Sequence, residues 1–516
     1  MNKLHTYLYL ILFVIVRCNT TSAQVGFIER YSYKDNWPTL FVNAINDTDS
    51  TVIVYGKTIN PENSQNGIYV ARIDTLGKVI QESFFIDEDE YVPDNQYEIL
   101  KVENGFIITA ITFYNNAGLL LKINDELDLI WKRKYNYNHL KYSGTRNYNV
   151  IDIDDYYILS LKTLKSSGNH VITIIKVDQS GELIWEKDYG TLGNDEVGYF
   201  SPSSTDDEII IYGGRQRNFY SASGSSWGMI YAIDTSGMVI WEHEDEPIGN
   251  QQYEPYEYVV RDDDGGWIVS QPKIHRPVKN DEATWSEIGR IRKLNSEFKE
   301  IWSKDLDSFK KEELLNTQSI STITADENNI IISGNTLTVP FGQIEEAVTV
   351  NRTCKFDKNG TQIWLRNDSL FYDPSGSYAS LITNKHIILP SGSIIEVGTL
   401  EILSGSESGY YGFIEKLDKD GCLMPGCRDT TSSEDLPDSE EVQLYPNPAS
   451  ETVVIHWNED YGKNASLYFY DFSGRLILSQ LVSINEVISV SSLYEGPYFY
   501  KLQIGRRLYY GKLLKQ

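Results

Sequence analysis

Residues able to do chemistry are scattered along this sequence, and none of them forms a self-sufficient catalytic motif. Carboxylates cluster at Asp87-Glu88-Asp89-Glu90, at Asp152, Asp154 and Asp155, and at Asp262-Asp263-Asp264. A calcium loop needs oxygen ligands at alternating positions around a Gly turn, and Asp418-Lys419-Asp420-Gly421 has only part of that spacing. We therefore expect no cofactor, read the clusters as solvated turns, and name calcium as the one ion worth testing. His139, His170, His243, His275, His386 and His456 include no His-Glu-x-x-His helix and no neighbour at ligand spacing, so no metal site is expected. A phosphate loop is missing. Two carboxylates for glycoside hydrolysis meet only in space, so that chemistry stays open. The best binding candidates are aromatic and polar stretches: Tyr253, Tyr256 and Tyr258 in one, Phe219, Tyr220 and Trp227 in another. Their rings could stack on sugars or anchor a protein; ordinary loop packing is the alternative.

The elements that must position these residues repeat. Seven copies carry an apolar residue, Asp or Asn, and a short turn that usually ends in Gly; most continue to an apolar-Trp step. The anchors are Asp74, Asn124, Asp178, Asp234, Asn295, Asp357 and Asp418, spaced 50 to 62 residues apart. The tryptophans are Trp131, Trp185, Trp241, Trp302 and Trp364. Asp-x-x-Gly is a turn in which Asp caps backbone and Gly takes positive φ. β-branched runs such as Thr51–Tyr55 and Asn329–Ile332 fill the intervals, and no helical period is sustained. About four short strands per unit at this period predict an all-β, seven-bladed β-propeller over residues 24–427, with each Trp buried between blades. The seventh copy runs into Pro425 and lacks its Trp strand, since Pro is excluded from a central strand. Residues 26–33 resemble that strand, so we expect them to complete the last blade and hide both sheet edges.

The chain of 516 residues is 41% hydrophobic with 12% aromatics, a folded composition. Its net charge of −27 argues against nucleic acid or an anionic membrane as partner. Residues 1–23 read as a signal peptide: Lys3, the apolar stretch Leu8 to Val16, and small residues up to Ala23. Its removal takes away Lys3 and Arg17 and no acid, and no other stretch is apolar enough to span a membrane. Cys422 and Cys427 would close a small disulfide loop in an exported chain, and Cys354 reads as buried. Residues 428–442 are an acidic Ser/Thr/Pro linker, and residues 443–516 a small Ig-like β-sandwich of alternating strands.

The last segment resembles the C-terminal sorting domain of type IX secretion cargo. The resemblance rests on Leu444-Tyr445-Pro446-Asn447-Pro448-Ala449, on Tyr470 to Leu476 around Gly474, and on Leu493-Tyr494-Glu495-Gly496-Pro497-Tyr498 with the strand that follows. It implies an interaction of residues 443–516 with the type IX machinery and export across the outer membrane, to the cell surface or the medium. The body is similar to the propeller repeats of such cargo, on Trp185-Glu186-Lys187-Asp188-Tyr189-Gly190 and on Asp263-Asp264-Gly265-Gly266-Trp267. The repeat is also similar to that of quinone-dependent dehydrogenases, but seven copies occur and the adjacent Cys pair does not. The sialidase Asp box is unmatched, because Gly stands one residue late. The expectation is a surface propeller that binds a glycan or a protein without turnover. The rival is a polysaccharide hydrolase or lyase, which three or more carboxylate, His or Tyr side chains at the channel would favour.

Overall fold

The computed structural model describes residues 27–34, 37–86, 91–92, 98–112, 117–135, 146–164, 170–190, 194–201, 203–205, 207–217, 225–245, 256–275, 286–306, 314–340, 348–368, 379–402, 408–423, 442–457, 463–470, 476–494, 496–504 and 507–515. Among them, every regular element is a β-strand. Strands of the body join in chain order into seven antiparallel sheets. The first is Thr39–Thr48, Thr51–Ile59, Asn66–Asp74 and Val79–Phe85. In the second, Tyr91–Val92 and Ile99–Val102 both pair with Gly105–Thr112, followed by Gly118–Ile123 and Leu129–Tyr135. The third is Arg146–Ile153, Tyr156–Leu164, His170–Asp178 and Leu183–Tyr189; the fourth is Asn194–Phe200, Ile209–Arg217, Ser225–Ile233 and Val239–Glu244. The fifth is Tyr258–Arg261, Trp267–Ser270, Arg290–Leu294 and Glu300–Asp305, with a small hairpin of Lys273–His275 and Ser286–Ile288. The sixth is Leu314–Ala325, Asn329–Pro340, Val348–Asp357 and Gln362–Asp368.

The seventh sheet closes the ring. Ala379–Ile388, Ile394–Ile402 and Gly409–Leu417 are completed by the N-terminal strand Phe27–Tyr31, with Phe27 opposite Lys416 and Tyr31 opposite Gly412. The same register pairs Trp185 with Lys176 and Tyr189 with Ile172, so Phe27 occupies the Trp position and Tyr31 the Tyr189 position. Tyr31 then donates its hydroxyl to Gly77 O at 2.6 Å, as Tyr189 does to Gly237 O at 2.6 Å and Tyr135 to Gly181 O at 2.8 Å. The strand expected from the N-terminus is the strand that forms.

Each sheet is covered on both faces by its neighbours, which is why its middle strands are apolar throughout. Gly105–Thr112 is buried at every residue. Seven hydrophobic clusters lie between successive blades. Tyr55, Ile68 and Val70 of the first blade pack on Phe106, Ile108 and Leu121 of the second, and Val397 and Ile414 of the seventh pack on Phe41 and Tyr69 of the first. With the seventh blade resting on the first, the array is a closed seven-bladed propeller.

The repeated turns form as read. Asp178 Oδ1 accepts from the backbone N–H of Ser180 at 2.8 Å and of Glu182 at 2.9 Å. Gly181 stands at φ 78°, inside the left-handed region. Where Gly is missing, Leu127 and Phe298 take φ 59° and 62° instead. A Cβ on Gly360 would sit 2.9 Å from Trp302 of the preceding blade, so the turn is also the seat for that ring. The five tryptophans lie between blades, with Trp364 buried and the other four half-buried.

The apolar half of the apolar-Trp step behaves differently. Ile80, Ile130, Ile184, Ile240, Ile301 and Ile363 are between 48% and 57% exposed. Each is the extra residue of a β-bulge in an outermost strand. The bulge turns the following side chain between the blades and leaves Ile outside, and it also blunts an edge that would otherwise pair with another chain.

Candidate functional site

The innermost strands surround the axis with one edge unpaired, and their side chains at one height form the candidate site. Six of these strands place a residue five positions before the first hairpin turn of the blade: Ala44, Glu98, Asn149, Glu257, Ser321 and Asn384. Tyr199 joins them from the fourth blade. In the first, third, sixth and seventh blades the strand bulges here, between Phe41 and Asn43, Asn147 and Asn149, Ile320 and Thr322, and Thr383 and Lys385. Bulges re-aim side chains that a regular strand would send between the sheets.

Amide side chains lock these strands to one another. Asn384 Nδ2 donates to Phe41 O at 2.6 Å, Asn335 Nδ2 donates to Thr383 O at 3.0 Å, and Asn335 Oδ1 accepts from Thr383 N at 2.8 Å. Together the strands enclose a cavity of about 340 Å³ lined by Tyr199, Glu257, Tyr258, Ser321, Asn335 and Asn384, with Ile382 on one side. Ser270 Oγ donates to Glu257 at 3.2 Å.

Electrostatics tie Glu98 to the same place. Burial pushes its carboxyl above the usual carboxylate range, opposed by the ammonium of Lys385 from the seventh blade and by a hydrogen bond from Asn149. Burial, with Glu257 and Glu98 nearby, holds the Tyr258 phenol above its ordinary value, so it stays protonated and can donate. The site thus presents phenols, carboxyl groups, amides and a hydroxyl around a water-sized to sugar-sized space. Such a set can hydrogen-bond a polyhydroxylated ligand and stack on its apolar faces.

Of the aromatic candidates singled out from sequence, Tyr258 reaches this cavity. Tyr256 borders it but is fully buried, wedged where a Cβ on Gly228 would lie 2.5 Å from its ring. Trp227 is 5% exposed and donates Nε1–H to Glu244 at 3.0 Å. Both are buried side chains, in keeping with the ordinary packing named as the alternative to binding. Tyr253, Phe219 and Tyr220 lie outside the described residues. Glu98, Tyr199, Glu257 and Lys385 were missed. Glu98 and Glu257 share one offset before the first turn of their units with Asn149, Ser321 and Asn384, a signal that could have found them; Tyr199 and Lys385 stand at other offsets.

The Asp262–Asp264 turn resolves into ion pairs, whereas Asp152, Asp154 and Asp155 are exposed on their turn. Asp262 is bonded to both Lys293 and Lys358, and Asp264 to Lys293 at 2.8 Å. These pairs hold both carboxyls below their usual range. Residues 87–90 lie outside the described residues. Cys354 is buried and free, Cys422 is disulfide-bonded, and Cys427 is outside the described residues.

The C-terminal segment builds a second site. A three-stranded sheet of Val442–Tyr445, Thr452–Trp457 and Val487–Ser489 faces a four-stranded sheet of Leu476–Ser483, Asn464–Tyr470, Gly496–Ile504 and Arg507–Lys515. Trp457, Phe469 and Leu502 are fully buried between them. Asn447 Oδ1 accepts from Leu514 N at 2.9 Å, and Ala449 N donates to Leu514 O at 2.8 Å, so the Tyr-Pro-Asn-Pro motif is pinned to the last strand. Leu493 is buried while Tyr494 is 88% exposed, and Tyr498 OH donates to Tyr494 O at 3.1 Å. Gly474 lies outside the described residues. Residues 443–516 match the family model of the secretion system C-terminal sorting domain. The segment is a sorting domain. It marks the chain for export across the outer membrane, to the cell surface or the medium. Among the described residues no helix is long and apolar enough to cross a membrane.

Upstream of the sorting domain, the likeness to known proteins is one of shape. An ulvan lyase from a new polysaccharide lyase family aligns at 12% identity over 78% of this chain and 98% of its own, with a TM-score of 0.46. A puromycin-hydrolysing peptidase of Mycobacterium tuberculosis aligns at 8% identity over 81% of this chain and 57% of its own, with a TM-score of 0.45. The β-propeller domain of the Trilobed protease from Pyrococcus furiosus gives 9% identity over 77% and 97%, with a TM-score of 0.39. No curated protein matches the sequence significantly.

Proposed function

We propose that this is an exported propeller that binds a saccharide segment in its central cavity. The observation that carries the reading is the convergence of Tyr199, Tyr258, Glu257, Ser321 and Asn384 from four blades around one enclosed space. Phenol rings stack on the C–H faces of sugars, while carboxyl, amide and hydroxyl groups satisfy their hydroxyls. Display without turnover needs only this set. A second reading, cleavage of a polysaccharide, is favoured by Tyr199, Glu257 and Tyr258, which meet the expectation of three carboxylate, His or Tyr side chains at the channel, with the Glu98 carboxyl near Tyr258 raised by burial.

The experiment is a glycan array probed with the mature full chain and with Tyr258→Ala, run beside a depolymerisation assay on the polysaccharides that give signal. Specific binding that falls about tenfold or more in the variant, on the scale of one lost stacking contact, is the expected result. Signal that survives Tyr258→Ala unchanged would place binding elsewhere. Release of reducing ends, abolished by Glu98→Gln with binding retained, would establish the second reading over the first.

A further inference from the structure

The cavity has a charge balance that selects among saccharides. Among the described residues that line it, the one charged group is the Glu257 carboxyl; Glu98 of the second blade lies near Tyr258 without lining the space, and Lys385 of the seventh blade is near Glu98. Arg292 stands behind Tyr256, but it is committed at 2.8 Å to Asp245 and at 2.8 Å to Glu300. No arginine or lysine is among the described residues that line the space. Recognition of a uronate or sulfate is built most often on a bidentate arginine, a lysine ammonium, a helix N-terminus or a metal ion. The remaining lining, phenols with amides and hydroxyls, is the chemistry of uncharged sugar rings. The surrounding field has the same bias, since the chain carries a net charge of −27 and the hairpin turns beside the inner strands bear Asp49, Glu103, Asp154, Asp155 and Asp326.

We infer that the cavity takes uncharged glycan segments and rejects polyanionic ones. The inference rests on the saccharide reading of this site and narrows it. It also bears on the chemistry of any turnover. Eliminative cleavage abstracts a proton next to a uronate carboxyl, breaks the bond to the leaving oxygen and forms a C=C bond, so it requires an anionic substrate. Hydrolysis requires none, since water delivers its hydroxyl to the anomeric carbon and a proton to the leaving oxygen.

The test is calorimetric titration of the mature full chain with neutral hexose oligosaccharides and with uronate oligosaccharides of equal length, at low and high salt. The expected result is binding of a neutral series, with uronates at least about tenfold weaker at low salt and the gap narrowing as salt screens the repulsion. Glu257→Gln is expected to shrink the gap while leaving the fold intact. Uronates that bind as well as or better than every neutral series, or an unsaturated uronate product from any polysaccharide, would overturn the inference. Binding that Tyr258→Ala leaves unchanged for all sugars would instead remove the cavity as the site, and the inference with it.

Discussion

His386 shows how a single side chain can carry a testable consequence far from the cavity. It is 1% exposed, with Nδ1 at 2.9 Å from Ser333 Oγ and Nε2 at 2.8 Å from Thr324 Oγ1. Ser333 Oγ–H is engaged with Glu396 at 2.6 Å, so Nδ1–H donates to Ser333 and Nε2 accepts from Thr324; the ring is neutral. Burial, with Lys385 adding to it, lowers its pKa from 6.5 to about 3. The unfolded chain therefore takes up a proton below pH 6.5 that the folded chain refuses. Stability from this group is complete above pH 6.5 and falls as pH drops toward about 3. Between pH 7 and pH 5 the loss from this group should be about 2 kcal/mol. Urea titrations at the two pH values should show it in the wild type and not in His386→Gln; equal slopes in both proteins would contradict the assignment. The sequence offered no sign of this role, because the partners of His386, Ser333 and Thr324, lie 53 and 62 residues away on the neighbouring blade.

At the scale of elements, the strand Phe27–Tyr31 holds the ring shut. It covers the edge of Gly409–Leu417, and Tyr31 joins the last blade to the Asp-x-x-Gly turn of the first blade at Gly77. Lys416 reinforces the same seam, its Nζ donating to Thr75 O at 2.9 Å, as Lys176 Nζ does to Thr235 O at 3.4 Å and Lys187 Nζ to Ser236 O at 2.7 Å between the third and fourth blades. Deleting residues 24–34 should lower the melting temperature by roughly 10 °C, the scale of several kcal/mol in a body this size. An unchanged melt would refute the closure. Much of this level was legible in the sequence. The Asp, Gly and Trp positions announce turns and inter-blade seats because their backbone and size requirements are local. The exposed isoleucines were not legible: Ile beside Trp reads as core, and only the bulge in each outer strand turns it outward. The cavity was hidden for a related reason. Its residues lie in apolar strands at a fixed offset, and their meeting depends on ring closure rather than on any local pattern. Tyr256 and Trp227 looked like binding aromatics because loop-flanking aromatics and core aromatics share one composition.

As a whole molecule, the protein separates its tasks by segment. Short capped turns and inter-blade clusters make a rigid ring, the unpaired inner edges supply a polar cavity, and residues 443–516 carry the export address. Those assignments are independent, so removal of the sorting domain should abolish export without altering what the ring binds. The central claim is that the cavity on the ring axis is the ligand site. The most direct measurement is a crystal structure of the mature chain soaked with the strongest neutral oligosaccharide from the array. Density for a sugar ring between Tyr199 and Tyr258, with hydroxyls within hydrogen-bond reach of Glu257 and Asn384, is the predicted result. An empty cavity with the same sugar ordered on the outer rim or on a peripheral loop would contradict it.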